Sequence, residues 1–440
     1  MSAAPLLVIA ARNVRKAWRT SLASLLSIVA GFTATVLFQG YVADAAEAVG
    51  GNYQRVAMLG ELLVSPPGPS AAPEDLGRAR LGPAEQAFIE AFLAKQGEKV
   101  TTTARFLYLT GQVQGAEEGV VFLGYGHDVA EGARLRTPTF AWNTLGGVPL
   151  QESDNPDGVL VGRRLAMALG CEFDASTAFL PEGGYRAEAR PLRCDDARVD
   201  LLGQAPDGRA TQRGGEVVGV VDAGLRQLES RLVVMPLDLA QELVGEPAVS
   251  LYSVALADPD DAPGMLAALR AEAASAGVNL AATGWREHGF FGDFYRRVVE
   301  VLQLYSVFLF AIVAFIGGMS VMNTVTRAVL ERTREIGTLR SIGFRPEHIV
   351  GLFALEGFLL GLLASVIGAA LSATLATLIA HAGLFYPEGI ASFPIPVRVR
   401  VLPSFYLGVG VVLAALSSLA SAVPALRAAR MRVAAALVAT

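Results

Sequence analysis

Four long apolar runs constrain the fold of this chain more than any other sequence feature. A transmembrane α-helix needs about 20 predominantly apolar residues, and the runs within 22–43, 298–326, 348–380 and 403–425 all reach that length. Hydrophobic residues make up 52% of the 440-residue chain and charged residues only 18%, which is too apolar for an ordinary soluble protein. We therefore predict a membrane protein with four transmembrane helices.

The start of the chain allows two interpretations of the first apolar run. Ala43-Asp44-Ala45 could serve as a signal-peptidase site. The run before it is longer than the roughly 7–15 apolar residues of a signal peptide, which favours an uncleaved span. Residues 1–21 mix aliphatic side chains with three arginines and a lysine, a pattern typical of an amphipathic helix at the membrane interface.

The segment 44–297 differs in character, because no run in it is long and apolar enough to span a membrane. Strand-like runs alternate with helical patterns, which predicts a mixed α+β domain large enough to bury its own core. The predicted strands are Glu61–Ser65, Thr101–Leu109, Gly119–Gly124, Gly158–Gly162, Val217–Val221, Leu232–Met235 and Tyr252–Leu256. The predicted helices are Pro83–Lys95, Arg163–Leu169, Leu237–Val244 and Pro263–Ala276.

Residues Phe290 to Val301 connect this domain to the second span. Their aromatic and aliphatic side chains recur at helical spacing, which predicts a helix that continues without a break into the span. Such a stiff helix can transmit movement between the domain and the membrane. Ordinary anchoring at the interface by aromatic and arginine side chains is the alternative.

Cys171 and Cys194 are the only cysteines of the chain, and both lie in the segment 44–297. Outside the cytoplasm, one disulfide bond and two free thiols are both compatible with this pair. Two isolated cysteines are a poor indication of a metal site, and we predict no metal.

The placement of arginine predicts the orientation in the membrane. Arginines flank the spans at the N-terminus, in the segment 327–347 and in the tail 426–440, whereas the loop 381–402 holds only Arg398 and Arg400. Cytoplasmic loops carry the excess of basic residues. We therefore predict that both termini and the segment 327–347 are cytoplasmic. The loop 381–402 and the α+β domain, inserted between transmembrane helices 1 and 2, are then extracytoplasmic.

A short charged segment, residues 331–343, lies between the second and third apolar runs. Ile336, Leu339 and Ile342 recur at three-residue spacing, which predicts a helix with one apolar face. Gly343 stands where a left-handed C-cap is needed. Such a helix can lie on lipid headgroups or dock on a protein, and its glutamates favour the protein partner. A solvated loop is the remaining alternative.

Several activities find no support in the residue types. A P-loop needs Lys followed by Ser or Thr, but Lys16, Lys95 and Lys99, the only lysines, precede Ala, Gln and Val. The four histidines are scattered, and no serine or cysteine stands in a nucleophile motif beside one of them. The net charge of −5 gives no reason to expect nucleic acid. We predict a chain without catalytic residues or a bound cofactor of its own.

The layout and several motifs resemble the MacB/FtsX-type permease family, ABC-transporter membrane subunits that include the lipoprotein-releasing permeases LolC and LolE. The resemblance covers nearly the whole chain and implies a type VII ABC permease-like fold. In the domain 44–297, two runs resemble recurrent family elements: Val159-Leu160-Val161-Gly162 and Val217-Val218-Gly219-Val220. The other motifs are Met322-Asn323-Thr324, Glu331-Arg332-Thr333-Arg334-Glu335-Ile336-Gly337, Leu339-Arg340-Ser341-Ile342-Gly343 and Glu356-Gly357.

The resemblance implies roles for individual residues. Segment 327–347 would be the coupling helix that seats on a separate cytoplasmic ATPase, and Asn323 would lie at the cytoplasmic end of the second span. Glu356 would lie in the third span near an arginine or water, because a carboxylate in an apolar span is costly. Gly357 and Gly361 form a GxxxG step, which lets another helix approach closely. The residues expected to couple to the ATPase are Glu331, Arg332, Arg334, Glu335, Ile336, Gly337, Leu339, Arg340 and Gly343.

The resemblance also implies a function. A cytoplasmic ATPase dimer, which binds ATP and Mg²⁺, would drive movements of the external domain, and two identical or paralogous permease subunits would pair over it. A periplasmic adaptor or substrate carrier could join this assembly in a bacterial inner membrane. Expected substrates are hydrophobic or amphipathic, such as a lipoprotein, a lipid or a drug. The alternative is an FtsX-like signalling or scaffold subunit that activates a periplasmic partner and transports nothing.

Overall fold

A computed structural model describes residues 10, 12–13, 18–68, 73–115, 119–136, 143–180, 184–224, 226–386 and 395–430. The chain divides into two compact units. We call residues 1–45, 299–384 and 397–440 the helical unit, and residues 46–298 with 385–396 the β-rich domain. Much of the predicted interfacial helix 1–21, of the loop 381–402 and of the tail 426–440 lies outside the described residues.

The described elements alternate between helices and strands only in the middle of the chain. In chain order the helices are α1 (Trp18–Val56), α2 (Pro73–Arg78), α3 (Pro83–Gln96), α4 (Val129–Leu135), α5 (Arg163–Ala168), α6 (Leu237–Val244), α7 (Ala262–Ala276), α8 (Phe291–Glu331), α9 (Thr333–Ser341), α10 (Pro346–His381) and α11 (Pro403–Ala429). The strands are β1 (Leu62–Ser65), β2 (Val100–Gln114), β3 (Val120–His127), β4 (Thr144–Gly147), β5 (Gly158–Gly162), β6 (Cys171–Phe173), β7 (Leu192–Cys194), β8 (Arg198–Gln204), β9 (Ala210–Val221), β10 (Leu232–Pro236), β11 (Leu251–Leu256), β12 (Ala281–Gly284), β13 (Phe385–Tyr386) and β14 (Ile395–Pro396).

Four described helices are long and apolar enough to cross a membrane: α8, α10, α11 and the part of α1 between Ser21 and Ala48. They correspond to the four predicted spans, and each helix extends beyond the predicted apolar run. Helix α8 is continuous from Phe291 to Glu331, which confirms the predicted unbroken helix between the domain and the second span. Helix α1 likewise continues past the predicted span to Val56.

Small residues let the helices of the helical unit approach closely. A Cβ added at Gly31 of α1 would collide with Val313 of α8. On the same helix pair, the Ser24 hydroxyl donates to the Ser320 carbonyl at 2.9 Å, and Ser306 donates to the Gln39 side chain at 2.6 Å. Polar bonds and small residues thus join α1 to α8, as expected where lipid supplies no hydrophobic driving force between helices.

The β-rich domain contains a mixed sheet with the order β12-β1-β11-β2-β3-β10-β5-β9-β4, and β8 pairs with β2 and β9. Strand β5 is buried at every residue because it lies between β9 and β10 in the middle of the sheet. The longer β2 alternates buried and more exposed residues, as a strand with one covered face does. All seven predicted strands and all four predicted helices of this domain are present, with ends shifted by a few residues and with β2, β3 and β9 longer.

The two cysteines form a cross-strand disulfide bond in this domain. Strands β6 and β7 pair antiparallel with Cys171 opposite Cys194, and the two sulfur atoms are bonded. The bond closes a loop with a sequence separation of 23 residues. Of the two states that the sequence left open, the structure therefore contains the disulfide.

Two buried histidines predict that the β-rich domain loses stability in acid. Burial, together with the nearby Arg136 charge, lowers the pKa of His127 to about 3, and burial lowers that of His288 to about 4. The ordinary value is about 6.5, so the unfolded chain takes up these protons first. Stability that is complete above pH 6.5 is therefore lost as the pH falls towards 4, at up to about 1.4 kcal/mol per pH unit for each histidine.

We expect His127→Phe to remove about half of this acid sensitivity. His127 stacks on Phe106 with ring centroids 5.9 Å apart and an interplanar angle of 13°, so a phenyl ring suits the position. Thermal unfolding of the full chain between pH 7 and pH 4.5 measures the effect, with the same substitution at the exposed His381 as control. If both variants and the parent chain follow the same pH dependence, His127 does not contribute.

Candidate functional site

The charged segment forms a helix of its own because the chain breaks from α8 just before it. Arg332 has φ −103° and ψ 14°, outside the helical region, and separates α8 from α9. The hydroxyl of Thr333 then donates to the carbonyl oxygens of Val329 at 3.0 Å and Leu330 at 2.8 Å. These bonds satisfy carbonyl groups that the end of α8 leaves without helical partners. Glu331, predicted within the charged helix, is the last residue of α8.

The C-terminal end of α9 has the predicted cap. Gly343 has a φ of 105°, and the Phe344 amide donates to the Leu339 carbonyl at 3.1 Å. This is the arrangement in which a left-handed glycine closes a helix. Pro346 then occupies the first turn of α10, where its missing amide hydrogen costs nothing.

The apolar face of α9 turns inward and packs within the helical unit. Ile336 is 6% exposed and belongs to a core cluster with Ile349, Phe353 and Ala425, while Leu339 packs partly buried against this cluster. Ile342 is 73% exposed, in contrast to the predicted common face. The reason is that α9 ends at Ser341, so the helical spacing does not extend to Ile342.

Both ends of α9 are tied to other helices by arginine. At the start, Arg332 Nη1 donates to Glu356 Oε1 at 3.4 Å, and Asn13 Nδ2 donates to the same oxygen at 2.6 Å. At the other end, Arg340 Nη1 donates to the Ala429 carbonyl at 2.7 Å, in the last turn of α11. The Arg332 and Glu356 side chains are 20% and 13% exposed, so this pair is largely removed from solvent. We call Asn13, Arg332 and Glu356 the α9 anchor.

The opposite face of α9 is exposed and polar. Arg334, Glu335 and Thr338 lie on it, and Ser341 and Ile342 follow at its end. This face combines both signs of charge with one large apolar side chain. Such a mixed surface suits a protein partner better than anionic lipid headgroups, which favour a uniformly basic face.

The remaining predicted site residues lie on the long helices. Gly357 and Gly361 are buried on α10, and their positions bring the backbone of α10 against α11. A Cβ at Gly357 would lie 2.6 Å from the Ser417 carbonyl oxygen, and one at Gly361 would lie 2.8 Å from Ala414 Cα. Asn323 is exposed on α8, apart from this contact. Gly337 is buried on α9, as is Ile336.

Arg332 precedes Glu335 by three residues, but its ion pair is made with a more distant carboxylate. Because Arg332 stands at the break before α9, its guanidinium group meets Glu356 instead. Two further partners, Asn13 and the Ala429 carbonyl, were not predicted from the sequence. A backbone carbonyl at a helix end carries no sequence signal, and Asn13 is 343 residues from Glu356 in the chain.

Comparison with known proteins gives similarities to ABC permeases. Residues 307–433, which contain α9, Glu356 and most of the helical unit, match the family model described as FtsX-like permease C-terminal. This part of the chain therefore resembles the FtsX-like permeases. The chain is 36% identical over 81 residues to the macrolide export ATP-binding/permease protein MacB of Photorhabdus laumondii. Over 72 residues it is also 38% identical to the ABC transporter permease YtrF of Bacillus subtilis.

These similarities are local. The aligned stretches cover 18% of this chain and 12% of the Photorhabdus protein, and 16% of both this chain and the Bacillus protein. A solved structure of the periplasmic region of MacB from Actinobacillus actinomycetemcomitans gives a TM-score of 0.33 at 10% identity. The match covers 56% of the chain and 96% of that structure.

Proposed function

We propose that this permease couples ATP hydrolysis in a separate cytoplasmic ATPase to movement of its β-rich domain on the other side of the membrane. That movement extracts or exports a hydrophobic or amphipathic substrate, such as a lipoprotein, a lipid or a drug. Helix α9 is the coupling helix that the ATPase contacts. The chain contributes no catalytic residue, and the partner ATPase binds ATP and Mg²⁺.

The attachment of α9 is the observation that supports this proposal most. Its apolar residues and both terminal arginines bind it to α10 and α11, while Arg334, Glu335 and Thr338 remain exposed. A helix held in this way moves together with the spans when its exposed face is pushed. A loop or a headgroup-bound helix would lack these attachments, so a protein that delivers force explains the arrangement better.

The helix pair α1 and α8 is the candidate for carrying that movement to the β-rich domain. In the helical unit the pair is joined by Ser24 to Ser320 and by Ser306 to Gln39. In the β-rich domain, a Cβ at Gly50 of α1 would lie 2.8 Å from the Tyr295 ring of α8. Both helices are continuous, and a continuous packed helix pair resists bending more than a loop does.

The proposal includes an orientation and partners. In this proposal both termini and α9 lie in the cytoplasm of a bacterium and the β-rich domain lies outside its inner membrane, which the arginine-rich ends support. Four spans are too few to enclose a pathway, so a second permease subunit, identical or paralogous, completes the assembly on an ATPase dimer. A periplasmic adaptor or substrate carrier binds this assembly when the substrate has to cross the periplasm.

Reversing one charge on the exposed face of α9 tests the ATPase contact. We expect an ABC ATPase to co-purify with the tagged full chain in mild detergent, and Glu335→Arg to weaken its retention roughly tenfold, because the substitution reverses a charge on the contacted face. Glu98→Arg makes the same charge change on an exposed residue of the β-rich domain and should leave retention unchanged. Retention that is equal in both variants, or the absence of any ATPase, contradicts the proposed contact.

The co-purified proteins and a release assay separate transport from signalling. With ATP and membrane vesicles, movement of a lipoprotein, lipid or drug out of the membrane supports the transporter. ATP-dependent capture of a periplasmic enzyme without substrate movement supports the FtsX-like signalling subunit instead.

A further inference from the structure

A cavity of about 100 Å³ lies inside the β-rich domain, where α1 ends and α8 begins. Its wall includes the last residue of α1 and the first residue of α8, together with parts of α2, β2, β3 and β10. Most of the lining side chains are aliphatic or aromatic, among them Val56, Leu76, Leu109, Leu123, Leu232 and Phe291.

The size and lining of the cavity determine what it can hold. Protein interiors are packed as densely as organic crystals, so a void of this size leaves its walls without contact partners. An apolar cavity of about 150 Å³ in another protein stays free of water and takes up benzene. A volume of about 100 Å³ therefore suits one aromatic ring or a short alkyl group.

The one carboxylate in the wall does not select a cation. Asp222 is fully buried, and its Oδ1 accepts from the Gly224 amide at 2.7 Å. Burial and the adjacent Asp222 charge also raise the pKa of the buried Tyr185 phenol. A charged group that enters this mostly apolar lining loses its hydration, so an uncharged group is favoured.

The lining residues differ in their exposure to solvent. Thr110 is exposed, and Leu123 and Leu228 are half-buried, whereas Phe291 is only 3% exposed, so we infer that the cavity opens to solvent near the first three. An occupant larger than the cavity can therefore insert one end and leave the remainder outside. Amphipathic molecules have this shape, with an apolar end that loses free energy on leaving water.

We propose that this cavity is a binding site for the uncharged aromatic or short alkyl end of an amphipathic molecule. The occupant contacts Val56 at the end of α1 and Phe291 at the start of α8. If the helix pair transmits movement, which rests on the proposed function above, the site places substrate at the end of that pair. The binding itself does not depend on the ATPase.

Photolabelling of the full chain in phosphatidylcholine nanodiscs tests the site. The probe is 3-trifluoromethyl-3-phenyldiazirine, a small uncharged aromatic compound that inserts into adjacent bonds when illuminated. We expect label in the tryptic peptide 106–134, which holds the β2 and β3 walls, and little in the peptide 271–286 of α7 and β12. Toluene should compete for this label, whereas benzylammonium should compete less.

Variants that fill the cavity separate this site from general partition into lipid. Ala223→Leu and Ala57→Leu add side-chain volume at the wall and should lower labelling of 106–134 roughly tenfold, because space for about two carbon atoms is lost at about 0.8 kcal/mol each. Ala271→Leu makes the same change on the exposed face of α7 and should leave the labelling of 106–134 unchanged. If one of the two filled variants misfolds, the other still tests the site.

Several results would overturn the proposal. Labelling of 106–134 no stronger than that of 271–286 means that the cavity binds no apolar probe. Labelling that persists in both filled variants places the probe elsewhere on the domain. Stronger competition by benzylammonium than by toluene shows that the site selects cations. None of these outcomes depends on whether an ATPase binds α9, so the coupling proposal is tested separately.

Discussion

Removing Glu356 should release α9 from the ends of the spans. In Glu356→Ala, Arg332 and Asn13 both lose the oxygen that they share, and a largely buried arginine is left without its carboxylate. Breaking such a pair on one side typically costs about 3 kcal/mol. Hydrogen exchange of the α9 backbone amides, measured on the full chain in nanodiscs, should therefore accelerate roughly 100-fold.

Exchanging the two charges is the sharper test. Arg332→Ala should accelerate exchange in α9 much as Glu356→Ala does, and the swap Arg332→Glu with Glu356→Arg should restore most of the protection, since the Asn13 amide can turn to accept. Arg327→Ala removes an exposed arginine from α8 and should leave α9 unchanged. Unaltered exchange in Glu356→Ala would show that the apolar contacts of Ile336 alone hold the helix.

If α9 passes force from an ATPase, the same variants have a functional consequence. ATPase stimulation by the permease should fall in the two single variants and return in the swap. A swap that restores protection without restoring stimulation would mean that Arg332 or Glu356 also contacts the ATPase. The pair of readouts therefore distinguishes a positioning role of the α9 anchor from a contact role.

The α9 anchor could be predicted from the sequence only in part. The segment 331–343 was recognisable because Gly343, its charges and its apolar spacing are local features, and the structure has a helix and a left-handed glycine there. Glu356 lies inside an apolar span, where a carboxylate is costly, so a partner for it was expected. The arginine that pairs with Glu356 is determined by the helix break at Arg332. That break depends on packing between helices.

The same division holds for the β-rich domain. Strand β5 and strand β10 are continuous aliphatic runs, and their sequence identifies them without further information. Strands β6 and β7 are only three residues long and were not predicted; in the structure they pair where the disulfide joins them. The order of strands, with β8 pairing to both β2 and β9, follows from contacts between distant segments and has no local signature.

Enlarging Gly357 should separate two spans, whereas enlarging Gly351 on the same helix should not. Any side chain at Gly357 collides with Ser421 and with the Ser417 carbonyl of α11, and backbone atoms cannot rotate away. Overpacking of this kind costs up to about 3 kcal/mol. Among the described residues, no atom lies within 4 Å of a Cβ at Gly351, where a larger residue favours the helix by up to about 1 kcal/mol.

The measurement is unfolding of the full chain by titration with dodecyl sulfate, comparing Gly357→Leu, Gly361→Leu and Gly351→Leu. We expect the first two to unfold at lower detergent fractions and the third to match or exceed the parent chain. Equal behaviour of all three would mean that α10 and α11 are not held at the distance that Gly357 and Gly361 permit. Because Glu356 directly precedes Gly357, a looser α10–α11 contact at this position should also weaken the α9 anchor. Hydrogen exchange in α9 should therefore rise in Gly357→Leu and stay unchanged in Gly351→Leu.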